Sequence, residues 1–219
     1  MNVTILTKPQ AKKPFFRKPL HMAFAGVFAV FWAYTGLTTP DLMNWLLENT
    51  LTLSLIIFLV AFYNIFRFSD ASYTLIFLFL MLHVYGSQYQ YPDNPLGEWL
   101  KDTYKLSRNH YDRFVHLGFG LLLAYPMHEV LAYGFKVKRF ISYLMPIEIV
   151  LSLSALYELL EWIVADLVFK GDQQGMAYLG AQGDVWDAQK DIGLAFAGAV
   201  VAMSMALLLR RKGQQKRHA

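Results

Sequence analysis

Residues 108–120 have the sequence RNHYDRFVHLGFG, and the fold and the candidate site of this chain are predicted from this stretch outward. Its first nine residues contain two histidines, one aspartate and two arginines, and a long apolar run follows them. Because Asp112 and His116 are four residues apart, a helix that begins by Asp112 places both side chains on one face, about one turn apart. Charged groups at the end of a membrane helix are costly unless they have partners or a function. The stretch therefore predicts a polar site at the end of a membrane helix.

The composition predicts an all-α polytopic membrane helix bundle. Of the 219 residues, 56% are hydrophobic and 16% are charged, whereas about a quarter of the residues of a soluble domain are charged. The apolar residues occur in blocks, as they do in membrane proteins with several spans. Since the chain has no cysteine, disulfides, thiol catalysis and thiolate metal sites are excluded, and any metal would be bound by His, Asp, Glu and carbonyl oxygens.

Six apolar runs predict six transmembrane helices in a membrane domain over residues 20–209. The runs cover about 20–37, 51–66, 71–85, 112–133 and 140–165, and a last one that begins near 184–189 and ends at 209. In the long connection 86–111, Leu96, Trp99, Leu100 and Tyr104 recur at helical spacing. This short helix either lies along the membrane interface or packs on the bundle.

The positions of Lys and Arg predict that both termini are cytoplasmic. Of the 20 Lys and Arg residues, 14 lie in the basic N-terminal segment 1–19, the turn 67–70, the loop 134–139 and the basic C-terminal tail 210–219. Such a bias marks the cytoplasmic side of a membrane protein. Membrane orientation therefore accounts for the net charge of +4, and no nucleic-acid partner is expected.

Three of the predicted helices bring acidic residues to one level on the outer side of the membrane. Glu158 and Glu161 are three residues apart near the end of the fifth helix, and Asp184, Asp187 and Asp191 share one face of the sixth. Carboxylates so close together cannot all stay ionised without cations. Either some are protonated, or a divalent metal or a cationic ligand neutralises them. The candidate catalytic and metal-binding residues are Asp112, His116, Glu158, Asp187 and Asp191, with Arg113, Glu161 and Asp184 as secondary members.

A second polar level is predicted toward the cytoplasmic side. His128 near the end of the fourth helix and Glu148 near the beginning of the fifth lie at similar depth. They form either a structural pair or part of a proton relay across the membrane.

Three segments carry a resemblance to a known family. The segments NHYDRFVH at 109–116, YELLEW at 157–162 and GDVWDAQKD at 183–191 resemble those of the YjdF family of bacterial inner-membrane proteins. The resemblance implies a six-helix protein of the inner membrane, and it implies no reaction. More distantly, Asp112-Arg113-x-x-His116 followed by Asp187-x-x-x-Asp191 is similar to the pattern of VanZ-like membrane proteins.

Three functions are compatible with these residues. The first is a membrane enzyme that acts on a lipid or a lipid-linked headgroup at the outer leaflet, with a divalent ion bound by the five candidate residues. The second is a proton-coupled transporter that uses both polar levels. The third is a non-catalytic membrane factor whose polar network only fastens the last three helices. The expected partner is membrane lipid in all three cases.

Overall fold

Helices account for all the regular secondary structure in residues 15–218, the part of the chain that the computed structural model describes. Most of the predicted basic segment 1–19 therefore lies outside the described residues. After a short 3-10 turn at Phe15–Arg17, the helices are α1 (Pro19–Thr38), α2 (Leu42–Phe62), α3 (Asp70–Ser87), α4 (Pro95–Tyr104), α5 (Tyr111–Glu129), α6 (Arg139–Leu167), α7 (Gln173–Tyr178) and α8 (Asp187–His218). A π-helical turn, Val130–Gly134, extends α5. The prediction of an all-α chain is confirmed.

Within the described residues, five helices are long and apolar enough to cross a membrane. They are α1, α2, α5 with its π-helical turn, α6 and the apolar part of α8. Helix α3, with 18 residues, is close to the minimal length for a span and is not among the five. The chain is thus a multi-pass helical membrane protein, while the sixth span and the cytoplasmic termini stay predictions.

Two helix boundaries differ from those predicted. Helix α2 begins at Leu42 rather than near Leu51, because the Asp41 side chain accepts a hydrogen bond from the Asn44 backbone N–H at 3.0 Å and caps the helix there. Glu48 and Asn49, which the prediction placed in a loop, are therefore buried helical residues. At the other end of the chain, α8 continues past 209, because hydropathy marks where an apolar run stops and not where the helix ends.

Helix α5 is the centre of the bundle. It packs against α3, α6 and α8, whereas α1 and α2 pack on α3 at the periphery. Burial follows this order, since 61% of the α5 span is buried inside the protein and 17% of the α1 and α2 spans. Side chains on α5 consequently face several helices at once, which is the position in which a shared polar site can form.

One end of the bundle, called here the site end, holds the beginnings of α2, α5 and α8 and the ends of α3 and α6. Side-chain contacts tie these elements together: Gln90 to Asp41, Tyr157 to Glu48, and Gln182 to the Asn109 backbone. The site end thus includes the start of the fourth predicted helix (α5), the end of the fifth (α6) and the start of the sixth (α8).

Helix α4 packs on the site end, which is one of the two arrangements predicted for it. Its buried Gly97 packs so closely on Asn109 that a Cβ atom would lie 1.8 Å from the Asn109 Oδ1 atom. Leu96, Trp99 and Tyr104 are exposed on the same helix. Exposed aromatic residues next to apolar helices are typical of a membrane interface, and the interfacial position of α4 stays a prediction.

Helices α5 and α8 approach each other through small residues. A Cβ atom at Gly120 would lie 1.9 Å from the carbonyl oxygen of Ala195, and one at Gly198 would lie 2.4 Å from that of Leu117. The facing side of α8 consists of buried alanines at helical spacing, namely Ala195, Ala199, Ala202 and Ala206. Membrane helices associate through such close backbone packing, because lipid provides no hydrophobic force between them.

We expect Gly120→Ala to lower the free energy of unfolding by about 1–3 kcal/mol, because the added methyl group forces α5 away from the α8 backbone. Gly193→Ala is the matched control on α8, where a Cβ atom meets nothing within 4 Å. It should preserve stability or raise it by up to about 1 kcal/mol, since alanine favours the helix. Thermal unfolding in detergent compares the two variants with the wild type. Equal melting temperatures for Gly120→Ala and the wild type would contradict the close approach.

Candidate functional site

The polar residues at the site end separate into two groups with different charge balance. The first, called here the arginine clasp, consists of Arg108, Arg113, Asp184, Asp187 and Lys190. Arg108 is buried and donates to both carboxylate oxygens of Asp187, at 3.1 Å from Nη2 to Oδ2, and to the carbonyl oxygens of Gly180 and Ala181 at 3.2 and 3.1 Å. A two-pronged arginine–carboxylate pair is among the strong charge-assisted hydrogen bonds of proteins. It joins the chain before α5 to the first turn of α8.

Arg113 completes the clasp from the first turn of α5. Its Nη2 atom donates to Asp184 Oδ2 at 2.5 Å and to Asp187 Oδ1 at 3.1 Å, and Lys190 Nζ donates to Asp184 Oδ2 at 2.6 Å. Three cations thus face two carboxylates. Both carboxylates of this group are therefore compensated by protein cations, and neither needs a further cationic ligand.

Ionisable groups at the edge of the clasp respond to these charges. The pKa of the Asp184 carboxyl is held well below its ordinary value, first by the hydrogen bond from Lys190 and then by that from the Trp186 backbone N–H. A carboxyl whose pKa is lowered by folding stabilises the fold at pH values above its pKa in the unfolded chain. That contribution is lost as the pH falls through its pKa in the folded protein. Burial and the charge of Arg113 lower the pKa of His110. At neutral pH we therefore expect an ionised Asp184 and a neutral His110.

The second group, called here the carboxylate–histidine group, consists of Asp112, His116, Glu158 and Asp191. The His116 Nε2 atom lies 3.5 Å from Asp112 Oδ1 and 3.3 Å from Glu158 Oε1. One potential ligand atom from each of Asp112, His116 and Asp191 lies within 4.8 Å of the other two. Oxygen and nitrogen ligands of a tetrahedral Zn²⁺ ion are roughly 3.4 Å apart, so the spacing around His116 is close to what a shared divalent cation requires.

The carboxylate–histidine group lacks the compensation that the clasp has. Asp191 is 1% exposed, and its Oδ1 atom has no hydrogen-bond partner within the described part of the chain; the same holds for Glu158 Oε1. Arg113 forms a long ion pair with Asp191: its Nε atom, which has no hydrogen-bond partner within the described residues, lies 3.9 Å from that oxygen, and its Nη2 atom donates to Asp184 in the clasp. Buried carboxylates without partners are costly, so the group must hold protons or a cation.

The environment of His116 favours a ligand role for its Nε2 atom. The Nδ1 atom lies 3.4 Å from Ser154 Oγ, while Nε2 faces the carboxylates. When Nδ1 carries the proton and donates it to Ser154, Nε2 presents a lone pair toward Asp112 and Glu158. This tautomer, fixed by a hydrogen bond at the opposite ring nitrogen, is the one found in metal-binding histidines.

A cavity of about 270 Å³ begins at the carboxylate–histidine group and extends into the apolar part of the bundle. Asp112, His116 and Ser154 line it at the site end, and Leu80, Leu123 and Met127 line it deeper in the membrane segment. Its walls come from α2 and α3 on one side and from α5 and α6 on the other. The site therefore joins a polar end to an apolar chamber, as in many small-molecule pockets.

Polar residues that the sequence pattern did not indicate lie at the site end of the cavity. Tyr157 donates to Glu48 Oε2 at 2.8 Å, and the Tyr91 hydroxyl is 2.6 Å from His83 Nδ1. Burial raises the pKa of Tyr91 well above its ordinary value, so this hydroxyl is protonated. Polar residues at helical spacing after the capping residue Asp41, namely Asn44, Glu48 and Thr52, were the available signal for Glu48; the other contacts depend on tertiary packing.

The structure separates residues that the sequence analysis had grouped. Asp112, His116, Glu158 and Asp191 come together, whereas Asp187 belongs to the arginine clasp with Arg113 and Asp184. Arg108, which had not been ranked as a site residue, is the main partner of Asp187. Glu161 is buried one helical turn beyond Glu158.

The expected contact between His128 and Glu148 is not formed, and this part of the prediction is wrong. The His128 Nδ1 atom lies 2.7 Å from the Ser142 carbonyl oxygen, and the Glu148 side chain is on the exposed face of α6. Similar depth in two helices does not determine the direction in which a side chain points. Here Glu148 lies on the exposed face of α6 and does not point toward His128. The carboxylate at this end of α5 is that of Glu129, the last residue of the helix. It accepts a hydrogen bond from the Ser69 backbone N–H at 2.9 Å.

We expect Asp187→Ala to destabilise the fold by roughly 3–5 kcal/mol, because it leaves the buried Arg108 guanidinium without its carboxylate. Lys190→Ala is the control within the same clasp. Lys190 is about half exposed and Asp184 keeps Arg113, so its loss should cost less than about 1 kcal/mol. Folded yield and melting temperature in detergent measure both effects. A well-folded Asp187→Ala protein with the wild-type melting temperature would contradict a structural role for the clasp.

Comparison with known proteins gives two matches. A family described as "Predicted membrane protein (DUF2238)" matches residues 20–212. The chain is also 34% identical over 172 residues to a protein of Escherichia coli (strain K12) named "Inner membrane protein YjdF", and the match covers 78% of this chain and 80% of that protein. No solved structure matches. The family match includes all the residues of the arginine clasp and of the carboxylate–histidine group.

Proposed function

The chain belongs to the DUF2238 family of membrane proteins, and we propose that it is a metal-dependent membrane enzyme that acts on the polar head of a lipid or lipid-linked substrate. The observation that carries the proposal is the uncompensated carboxylate–histidine group at the end of an apolar cavity. An inner-membrane relative supports the bacterial inner membrane as its location.

In this proposal Asp112, His116 and Asp191 bind a divalent cation. Their potential ligand atoms lie within 4.8 Å of one another, and Asp191 is buried with an unpartnered oxygen. A His and two carboxylates form a ligand set that suits zinc and other first-row divalent ions. A cation at this point would neutralise charge that the arginine clasp leaves uncompensated.

Glu158 has a different role in the proposal. Its Oε1 atom is 3.3 Å from His116 Nε2 and has no hydrogen-bond partner in the described part of the chain, so it can accept a proton from a water molecule bound to the cation. A divalent cation held there would supply Lewis-acid chemistry, by lowering the pKa of a bound water and polarising a phosphoryl or carbonyl oxygen. Glu158 would then act as the general base at the polar end of the cavity.

The arrangement favours an enzyme over the other two functions considered. A transporter would need polar groups along a route across the membrane, whereas the deep lining of the cavity is formed by Leu80, Leu123 and Met127. A purely structural network accounts for the arginine clasp, whose charges are paired. It does not account for buried carboxylate oxygens without partners.

We expect purified, detergent-solubilised protein to contain a stoichiometric divalent cation, or to take one up when zinc, manganese or magnesium is added. Asp191→Asn and His116→Gln should reduce the affinity for that cation at least about tenfold, as losses around metal sites do, with folded yield retained. Glu148→Gln is the control, because this carboxylate lies on the exposed face of α6. Elemental analysis and metal titration provide the measurement.

No cation in any sample after reloading, with all proteins folded, would refute the metal site. A cation retained by both ligand variants would place it elsewhere. Incubation of the reconstituted protein with bacterial lipid extract, followed by mass spectrometry of the lipids, tests the enzymatic part. The proposal predicts a cation-dependent change in one lipid class that His116→Gln abolishes.

We further propose that α3 is the sixth span and that both termini are cytoplasmic, which puts the site end at the outer face. The absence of cysteine allows a direct test with single-cysteine variants at the exposed positions Asn64, Asp102 and Lys136. In intact cells an outer-face thiol reagent should label Asp102→Cys, while Asn64→Cys and Lys136→Cys should react only after lysis. Labelling of Asn64→Cys together with Asp102→Cys would mean that α3 does not cross the membrane. The inverse pattern would reverse the orientation.

A further inference from the structure

Hydrogen bonds and core packing lie at the two ends of the cavity. At the site end the Tyr157–Glu48 hydrogen bond joins α6 to α2, and the Tyr91–His83 contact lies in the neighbouring wall. At the deep end Leu80 and Leu123 are buried and pack in the core of the bundle.

The side of the cavity between α2 and α6 is different. Both helices contribute lining residues, yet α2 packs on α3, and α6 packs on α5 and α8. Several lining leucines on these two helices are also exposed: Leu51 by 41%, Leu153 by 43%, Leu156 by 50% and Leu160 by 43%. A residue that both lines a cavity and is exposed marks its rim, so the opening lies between α2 and α6.

This rim faces the hydrocarbon of the bilayer. Both α2 and α6 are among the helices that are long and apolar enough to cross a membrane, and the rim residues lie within their spans. In a bilayer the molecules in contact with these leucines are lipid chains, and water is excluded from that depth. The opening thus admits ligands from the membrane.

We infer that a membrane lipid inserts one hydrocarbon chain sideways between α2 and α6 into this cavity and places its polar head at Asp112 and His116. The inference deepens the proposed function, on which the assignment of the head depends. The chain-binding step depends only on the cavity and its opening. It restricts the substrates to lipids with a flexible hydrocarbon chain and excludes soluble headgroup compounds.

The size and chemistry of the cavity fit one chain. Its volume of about 270 Å³ is near the lower limit of ligand pockets, roughly 300–1,000 Å³, so it holds part of a lipid and not the whole molecule. Leucine, phenylalanine and methionine form most of its walls, with polar groups concentrated at the site end. Apolar cavities of this kind stay dry and bind apolar guests.

The test uses full-length protein in vesicles of phosphatidylethanolamine and phosphatidylglycerol that contain a phosphatidylethanolamine with a photoactivatable acyl chain. After irradiation, mass spectrometry locates the labelled residues. We expect label on Leu123 and Phe119, which line the interior of the cavity, as well as on lipid-exposed residues. Leu156→Trp, which narrows the rim, should reduce the interior label several-fold. Leu159→Trp is the matched control, because Leu159 is exposed on the same helix and does not line the cavity.

The outcomes separate this inference from the proposed metal site. Interior label that persists in Asp191→Asn and after removal of divalent cations supports chain binding whatever the result of the metal titration. Label confined to exposed residues, or interior label equal in the two tryptophan variants, would overturn the inference even if a metal is bound. Should Leu156→Trp lower the melting temperature, Leu51→Trp narrows the same opening from α2 and serves in its place.

Discussion

The buried ion pair between Arg108 and Asp187 is the interaction on which the geometry of the site end depends. It connects the segment before α5 to the first turn of α8, and Arg113 adds contacts from the first turn of α5 to Asp187 and Asp184. Removing charges from water is costly, and the pair repays that cost only in one arrangement, with its hydrogen bonds satisfied. The two helices are thereby fixed in register.

That register brings the carboxylate–histidine group together. Asp191 lies one turn beyond Asp187 on α8, and Asp112 and His116 lie one turn apart on α5, so the same alignment that pairs the arginines places these three side chains around one point. The glycine and alanine contacts along α5 and α8 also help to bring the carboxylate–histidine group together. They allow the two backbones to approach until polar side chains at the helix ends are within reach of one another.

Charge compensation separates the polar residues by role. In the arginine clasp every carboxylate is paired, which is the pattern of a network that fastens helices. In the carboxylate–histidine group buried oxygens remain without partners beside a cavity, and a protein retains such costly groups where they bind or react. The proposed cation and the proposed lipid chain occupy adjoining parts of one site, with the carboxylates at the polar end and the leucine-lined opening in the membrane.

The sequence by itself determined the class of the protein and the positions of most of its apolar helices. These follow from hydropathy and from helical periodicity, which are properties of the chain taken a few turns at a time. It also predicted a helix around Trp99 and a group of five residues, of which Asp112, His116, Glu158 and Asp191 lie together and Asp187 does not.

Only the tertiary structure decided which charged groups are paired and which are left over. Arg108 lies outside any apolar run, so its contact with Asp187 depends on how the loop before α5 folds over α8. Equal depth suggested a contact between His128 and Glu148, but depth along a helix does not determine the direction of a side chain, and packing turns Glu148 away. The cavity between α2 and α6 likewise arises from helices distant in sequence. Its existence depends on which faces of those helices do not meet, a property that no local pattern in the chain encodes.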